Sequence, residues 1–229
     1  MNSFIAIIFD LDGTLLNTLE DLATSMNTVL EFNGFPKYSL EQYRLFVGEG
    51  MFNLVIKATK PYTNNQELIH QMYLQMNEEY KQNWHNTTKP YPQIVEVLNL
   101  LSNAGFHLNI LSNKPDYFTK ITVEYFFPKV PFQTIMGASD RIPRKPDPAG
   151  VLKIISESGL FLKDFILIGD SGIDIHTAMN ACIMPGGALW GYRDQDELIQ
   201  SGAKFLFTQP EEMYSFLINS NQLGYKLII

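Results

Sequence analysis

Six short apolar runs bounded by turn residues recur along the chain, at Phe4–Phe9, His107–Leu111, Thr134–Met136, Phe165–Ile168, Ala188–Trp190 and Phe205–Phe207. Runs of this length and apolarity fit strands buried on both faces. Helical patterns separate most of them. Ile94–Ala104 and Pro148–Ser158 both carry helical apolar spacing; the second opens with Asp147 as N-cap and Pro148 at the first helical position, and stops before Gly159. Strand and helix in alternation predict an α/β fold, a mostly parallel sheet with helices on both faces.

One region breaks the alternation. Residues 17–87 carry helix signals and no convincing strand, so the chain divides into a sheet-bearing core, 1–16 and 88–229, and a helical insertion, 17–87. The first inserted helix is expected to start at Thr18, with Asp21 completing a capping-box variant, and to stop at Gly34. Ser39 with Gln42 starts a second, and Gln66–Trp84 forms a long third. On that third helix Leu68, Ile69, Met72, Tyr73, Met76 and Tyr80 share one face, which is read as packing surface. Lys89-Pro90-Tyr91-Pro92 reads as a stiff return linker.

With 229 residues and 45% hydrophobic content the chain can bury a sizeable core. Its 17 Lys+Arg against 24 Asp+Glu leave a net charge of -7, which opposes general attraction to nucleic acid or anionic membranes. An anionic substrate therefore needs local positive charge. The run Phe4–Phe9 is too short for the apolar region of a signal peptide, and no stretch approaches the roughly 20 apolar residues that span a bilayer, so a cytoplasmic protein is expected. Cys182 is a single cysteine, which excludes an intramolecular disulfide and fits a reducing compartment; its neighbours Ala181, Ile183 and Met184 predict a buried, inert thiol.

The chemistry gathers where the apolar runs end. Asp10-Leu11-Asp12-Gly13-Thr14 follows the first run directly, which puts two carboxylates at the carboxyl edge of the sheet, where open α/β folds bind ligands. The second run ends in Ser112-Asn113-Lys114, offering a hydroxyl and backbone N–H groups to phosphoryl oxygens. Lys145 precedes Pro146-Asp147-Pro148, just ahead of a helix N-terminus. The fourth run leads into Gly169-Asp170-Ser171-Gly172-Ile173-Asp174, adding Asp170 and Asp174 at the same edge. Four carboxylates together repel a phosphate dianion unless a cation compensates them, and Mg2+, a hard cation that prefers oxygen ligands, suits the set. His70, His85, His107 and His176 are scattered and make no zinc-like cluster.

In these four motifs, and in their order, the sequence resembles the haloacid dehalogenase-like superfamily of phosphatases: FDLDGTLLNT as the first motif, Ser112 the second, Lys145 in RKPDP the third, and GDSGIDI the fourth. The resemblance implies a Rossmann-like, doubly wound core with the insertion as a cap. It further implies Asp10 as nucleophile and Asp12 as general acid and base. The metal ligands would be the Asp10 carboxylate, the Asp12 carbonyl and the Asp170 carboxylate, with Asp174 supporting them and Thr14 fixing the loop. An acid at Asp12 disfavours dehalogenation and phosphonate cleavage. Tyr43-Arg44-Leu45-Phe46-Val47-Gly48-Glu49-Gly50 is similar to the cap loop of phosphoglycolate phosphatases, which makes Arg44, Gly48 and Glu49 candidate substrate contacts. Gly48 and Gly50 equally suit a helix C-cap and turn, and Arg44 equally suits a substrate carboxylate or solvent. Asn113 joins Ser112 as a candidate phosphoryl contact. Asn17 and Cys182 stand where many members have Asp and Gly. The implied activity is Mg2+-dependent hydrolysis of a small phosphorylated metabolite such as 2-phosphoglycolate. The alternatives are mutase, nucleotidase or pyrophosphatase chemistry, or a silent phosphometabolite-binding protein.

Overall fold

The structure is a computed structural model that describes residues 4–220; the outermost parts of the expected core, 1–3 and 221–229, lie outside the described residues. The chain runs through β1 (Ala6–Phe9) and the short β2 (Leu16–Asn17) into four helices, α1 (Leu19–Phe32), α2 (Leu40–Phe46), α3 (Met51–Thr59) and α4 (Gln66–Asn83), and returns by β3 (Lys89–Pro90). There follow α5 (Ile94–Asn103), β4 (His107–Pro115), α6 (Asp116–Phe126), β5 (Thr134–Ala138) and α7 (Ala149–Ser158). The last elements are β6 (Phe165–Gly169), α8 (Gly172–Asn180), β7 (Met184–Ala188), α9 (Gln195–Gln200), β8 (Phe205–Phe207) and α10 (Pro210–Ser220).

The main sheet has the order β5-β4-β1-β6-β7-β8, every pair parallel. β1 is buried throughout because both its faces are covered. Ile7 and Phe9 pack with Ile94, Val97 and Leu101 of α5 and Met213 and Leu217 of α10, while Ala6 and Ile8 pack with Val151 and Ile154 of α7 and Ala178 of α8. This is the parallel sheet with helices on both faces that the strand-helix alternation predicts, and the doubly wound, Rossmann-like core that the resemblance implies.

Two core readings shift. The strand expected at Ala188–Trp190 lies instead at Met184–Ala188, in the segment MPGGA. Its composition answers to close packing, since a Cβ on Gly187 would come within 2.7 Å of Leu206 and 2.9 Å of Leu198. Cys182 is exposed rather than buried; it follows α8 with φ +57, a left-handed turn that aims its side chain outward. α7 begins at Ala149, one residue later than expected, with its N–H donating to Asp147 Oδ1 at 2.8 Å, and ends at a left-handed Gly159.

The insertion holds four helices where three were expected. α3 follows Gly50, which offers no side-chain cap, so the start signal sought in the sequence is missing there. The Ser39–Gln42 capping box forms, and α1 stops before Gly34 at φ +75. The expected Thr18–Asp21 box does not form: the Thr18 hydroxyl lies 3.1 Å from Tyr192 Oη, and Asp21 instead receives Thr87 and Thr88. On α4, Ile69, Met72, Met76 and Tyr80 are buried against α1 and α3 with Leu68 and Tyr73 at the margin, as the helical spacing predicts. Lys89-Pro90 is more than a linker, pairing antiparallel with β2 so that a two-stranded ribbon joins insertion to core. Among the described residues, no helix is long and apolar enough to cross a membrane.

Candidate active site

Asp10 follows β1 at the carboxyl edge of the sheet, and its N–H donates to Ile168 O of β6 at 2.9 Å. The next residues turn back sharply around Gly13 at φ +92, where a Cβ would fall 2.4 Å from Asp170 Oδ2. Only glycine admits that approach. The turn brings Thr14 Oγ1 to donate to Asp170 Oδ1 at 3.2 Å, while the Tyr192 N–H donates to Asp170 Oδ2 at 2.8 Å. Trp190 Nε1 donates to Thr14 O at 2.9 Å and so holds the loop from the end of β7.

Asp174 sits in the first turn of α8 and accepts from Ser171 N–H at 3.1 Å and Ser171 Oγ at 2.7 Å through Oδ2. Its Oδ1 lies 2.6 Å from the Lys145 ammonium, which also lies 2.8 Å from Asp10 Oδ1. One buried cation therefore bridges two buried carboxylates. The Lys145 backbone is pinned by Asn113, whose Oδ1 accepts from Lys145 N–H at 2.8 Å and whose Nδ2 donates to Lys145 O at 3.0 Å. Asn113 also donates to Gly48 O at 3.1 Å, so its amide braces the site across to the insertion. Ser112 lines the same pocket as Asp10 and Asp12, and its Oγ accepts from Lys114 N–H at 3.2 Å.

Ligand oxygens of Asp10, Asp170 and Asp174 lie within 4.8 Å of one another. Burial, then the Asp174 charge, push Asp10 up to about 7 even though Lys145 pulls the other way. Burial, then Asp174 and Asp10, push Asp170 up to about 8. Lys145 is driven above its ordinary value because Asp10 and Asp174 outweigh the opposing effect of its burial. Three acids facing one ammonium form an oxygen-only donor set short of positive charge, which fits a hard divalent cation. Asp12 is set apart from the other three acids: its carboxylate takes the Lys114 ammonium at 3.0 and 3.2 Å. Both oxygens of Asp174 are engaged, by Lys145 and Ser171, and so are both oxygens of Asp170, by Thr14 and Tyr192; hydrogen bonding therefore does not rank the two as ligands.

The insertion closes over these groups with Leu22, Val47, Gly48, Gly50, Met51 and Leu54, leaving a cavity of about 30 Å³. Of the sequence-predicted contacts on this side, Gly48 lines the cavity and the other two do not. The Glu49 carboxylate pairs with Lys57 at 2.7 Å, and Arg44 turns outward, 3.8 Å from Glu41. The insertion loop is instead held by Arg193, which donates to the carbonyls of Arg44 and Val47.

Lys114, Tyr80, Tyr192 and Arg193 carry no functional role in the reading of the sequence, where Tyr80 is packing surface and Lys114 only closes the segment Ser112-Asn113-Lys114. Lys114 had one available signal, its place between Asn113 and Pro115 at the end of an apolar run, which equally suits a solvated surface lysine.

Comparison with known proteins identifies the family. A family profile described as haloacid dehalogenase-like hydrolase matches residues 7–185. The chain is 31% identical over 211 residues to the phosphoglycolate phosphatase of Vibrio cholerae, covering 90% of this chain and 93% of that protein. It is 28% identical over 215 residues to the phosphoglycolate phosphatase of Aquifex aeolicus, covering 93% and 96%. The crystal structure of a predicted phosphoglycolate phosphatase from Haemophilus somnus superposes with a TM-score of 0.87 at 28% identity, covering 94% of this chain and 99% of that one. With its motifs at the carboxyl edge of a parallel sheet and relatives along nearly its whole length, the chain belongs to the haloacid dehalogenase-like hydrolases, as a phosphoric monoester hydrolase.

Proposed function

We propose that this phosphatase hydrolyses a small phosphomonoester of the 2-phosphoglycolate kind through an aspartyl phosphate on Asp10, with Mg2+ held by Asp10, Asp170 and the Asp12 carbonyl. One observation carries the reading: Asp10 Oδ1 is fixed by the Lys145 ammonium at 2.8 Å and the Leu11 N–H at 2.7 Å, beside the carboxylates of Asp170 and Asp174. Among the described residues no hydrogen bond reaches Oδ2, which is the oxygen that attacks phosphorus. When bound, the metal supplies charge neutralisation for the phosphoryl oxygens and keeps Asp10 ionised.

The chain's own residues do the rest. Lys145 and the Ser112 hydroxyl hold the phosphoryl oxygens, Asp174 holds Lys145, and Thr14 with the Tyr192 N–H orients Asp170. In the first step the P–O bond to the leaving group breaks as the Asp10–phosphorus bond forms, and Asp12 gives a proton to the departing alkoxide. In the second, water attacks phosphorus, Asp12 takes a proton from it, and Asp10 leaves with free phosphate as the product. The helical insertion excludes bulk water. The relatives named phosphoglycolate phosphatase support a two-carbon leaving group.

A panel of small phosphomonoesters ranked by kcat/KM in Mg2+ tests the reading. It predicts 2-phosphoglycolate at the top and no turnover after chelation. A flat ranking, or a sugar phosphate or nucleotide preferred by tenfold or more, would overturn the substrate.

A further inference from the structure

We infer that Lys114 is the specificity-determining residue of this site, its ammonium receiving the anionic end of the leaving group, with Tyr80 of the inserted helices positioning it. The inference rests on the reading above that the substrate is a small phosphomonoester split at Asp10.

Lys114 leaves the sheet at the end of β4 and is 4% exposed, so its charge is committed to the interior. Its Nζ lies 2.7 Å from Tyr80 Oη and 3.0 Å from Asp12 Oδ1. An ammonium has three N–H donors. One is directed to Tyr80; the two Asp12 oxygens, at 3.0 and 3.2 Å, belong to one carboxylate and can share a second, bifurcated donor, which leaves a third for a ligand. The side chain also passes over the Tyr80 ring, 4.7 Å from its centroid, which fixes its approach from the insertion.

The surroundings single it out. Among the described residues that line the cavity, Lys114 is the one cation. Opposite it the insertion contributes Leu22, Val47, Met51 and Leu54, which offer an anion nothing. Of the other nearby cations, Lys145 is engaged by Asp10 and Asp174, Lys57 by Glu49, and Arg193 by main-chain carbonyls and Glu197, while Arg144, exposed beside Gly50, does not line the cavity. Arg44 turns toward Glu41. Asp12 is the group that meets the ester oxygen, and Lys114 adjoins Asp12. A negative group two bonds beyond that oxygen, as in a two-carbon hydroxy acid, therefore falls within reach of the ammonium. A neutral two-carbon alcohol leaves it unused.

The test compares kcat/KM for 2-phosphoglycolate and for ethyl phosphate, in the wild type and in Lys114→Met and Lys114→Arg, each protein first checked by thermal melting. The wild type is expected to favour the anionic substrate. Lys114→Met is expected to lower that preference by about 30-fold, the loss of a hydrogen bond to a charged group, while ethyl phosphate turnover falls by a much smaller factor. Lys114→Arg is expected to keep most of the preference. Should Lys114→Met fail to fold, Tyr80→Phe carries the test, with a preference severalfold lower. A wild-type preference that survives in Lys114→Met, or in the Tyr80→Phe protein standing in for it, overturns the role of Lys114 alone. An equal loss on both substrates overturns it too. A wild type with no preference for the anionic substrate overturns the proposed substrate as well.

Discussion

The Lys145 ammonium lies 2.6 Å from Oδ1 of Asp174, and neither side chain has more than 2% of its surface exposed. Removing one member of a buried pair strands the other, at a cost of several kcal/mol. Lys145 retains Asp10 as a second partner, so Asp174→Ala is expected to lower stability by about 3 kcal/mol. Asp174→Asn, which can still accept from Ser171, should cost roughly half of that. Urea unfolding of the two variants measures this; a loss below about 1 kcal/mol for Asp174→Ala would show that the pair contributes little.

The carboxyls of Asp10 and Asp170 are pushed up to about 7 and 8, so the folded protein holds their protons more tightly than the unfolded chain does. Stability from these groups is complete below the unfolded value near 4 and is lost as pH rises through 7 to 8. In chelator, the melting temperature is expected to fall by about 5 °C or more between pH 5.5 and 8.5. Saturating Mg2+ should flatten that slope, and Mg2+ affinity should tighten over the same interval as binding releases protons. Melting curves with and without the metal check both; a flat profile in chelator contradicts the electrostatic account.

Asp21 ties the entry of the insertion to its exit, accepting from the N–H groups and hydroxyls of both Thr87 and Thr88 at 2.7 to 3.1 Å. Asp21→Ala leaves two backbone donors and two hydroxyls without this partner. The expected cost is about 3 kcal/mol, together with faster amide exchange at Thr87 and Thr88. Hydrogen exchange resolves the effect by residue, and unchanged protection there would contradict it.

Gly13 and Gly105 share a left-handed backbone, φ +92 and +90, but only Gly13 faces Asp170; nothing stands within 4 Å of a Cβ on Gly105. Gly13→Ala is expected to displace Asp170 and reduce kcat/KM by about 100-fold or more, whereas Gly105→Ala should cost about 1 kcal/mol of stability and leave turnover intact. Similar kinetics for the two variants would remove the argument for close approach at Gly13.

Much of this architecture was legible in the sequence because its signals are local. Phe4–Phe9 running into Asp10 and Phe165–Ile168 running into Asp170 each announce a buried strand whose next residue must emerge at the sheet edge. β7 was displaced because its Gly and Pro reflect packing against Leu198 and Leu206, which no periodicity records. α3 was missed because its start lacks a capping side chain. In the site, Asp10, Thr14, Ser112, Asn113, Lys145, Asp170 and Asp174 converge, while Arg44 and Glu49 pair elsewhere. Lys114 escaped notice because its partners lie 102 and 34 residues away, at Asp12 and Tyr80. A bridge between core and insertion becomes visible only once the chain has folded.

The central claim, that Asp10 is the nucleophile, is tested most directly by acid-quenched single turnover with 32P-labelled 2-phosphoglycolate in Mg2+. The account predicts label bound transiently to the wild-type protein, on the peptide containing Asp10, and none on Asp10→Asn. Free labelled phosphate released with no protein-bound label at any time, or label retained by Asp10→Asn, would contradict it.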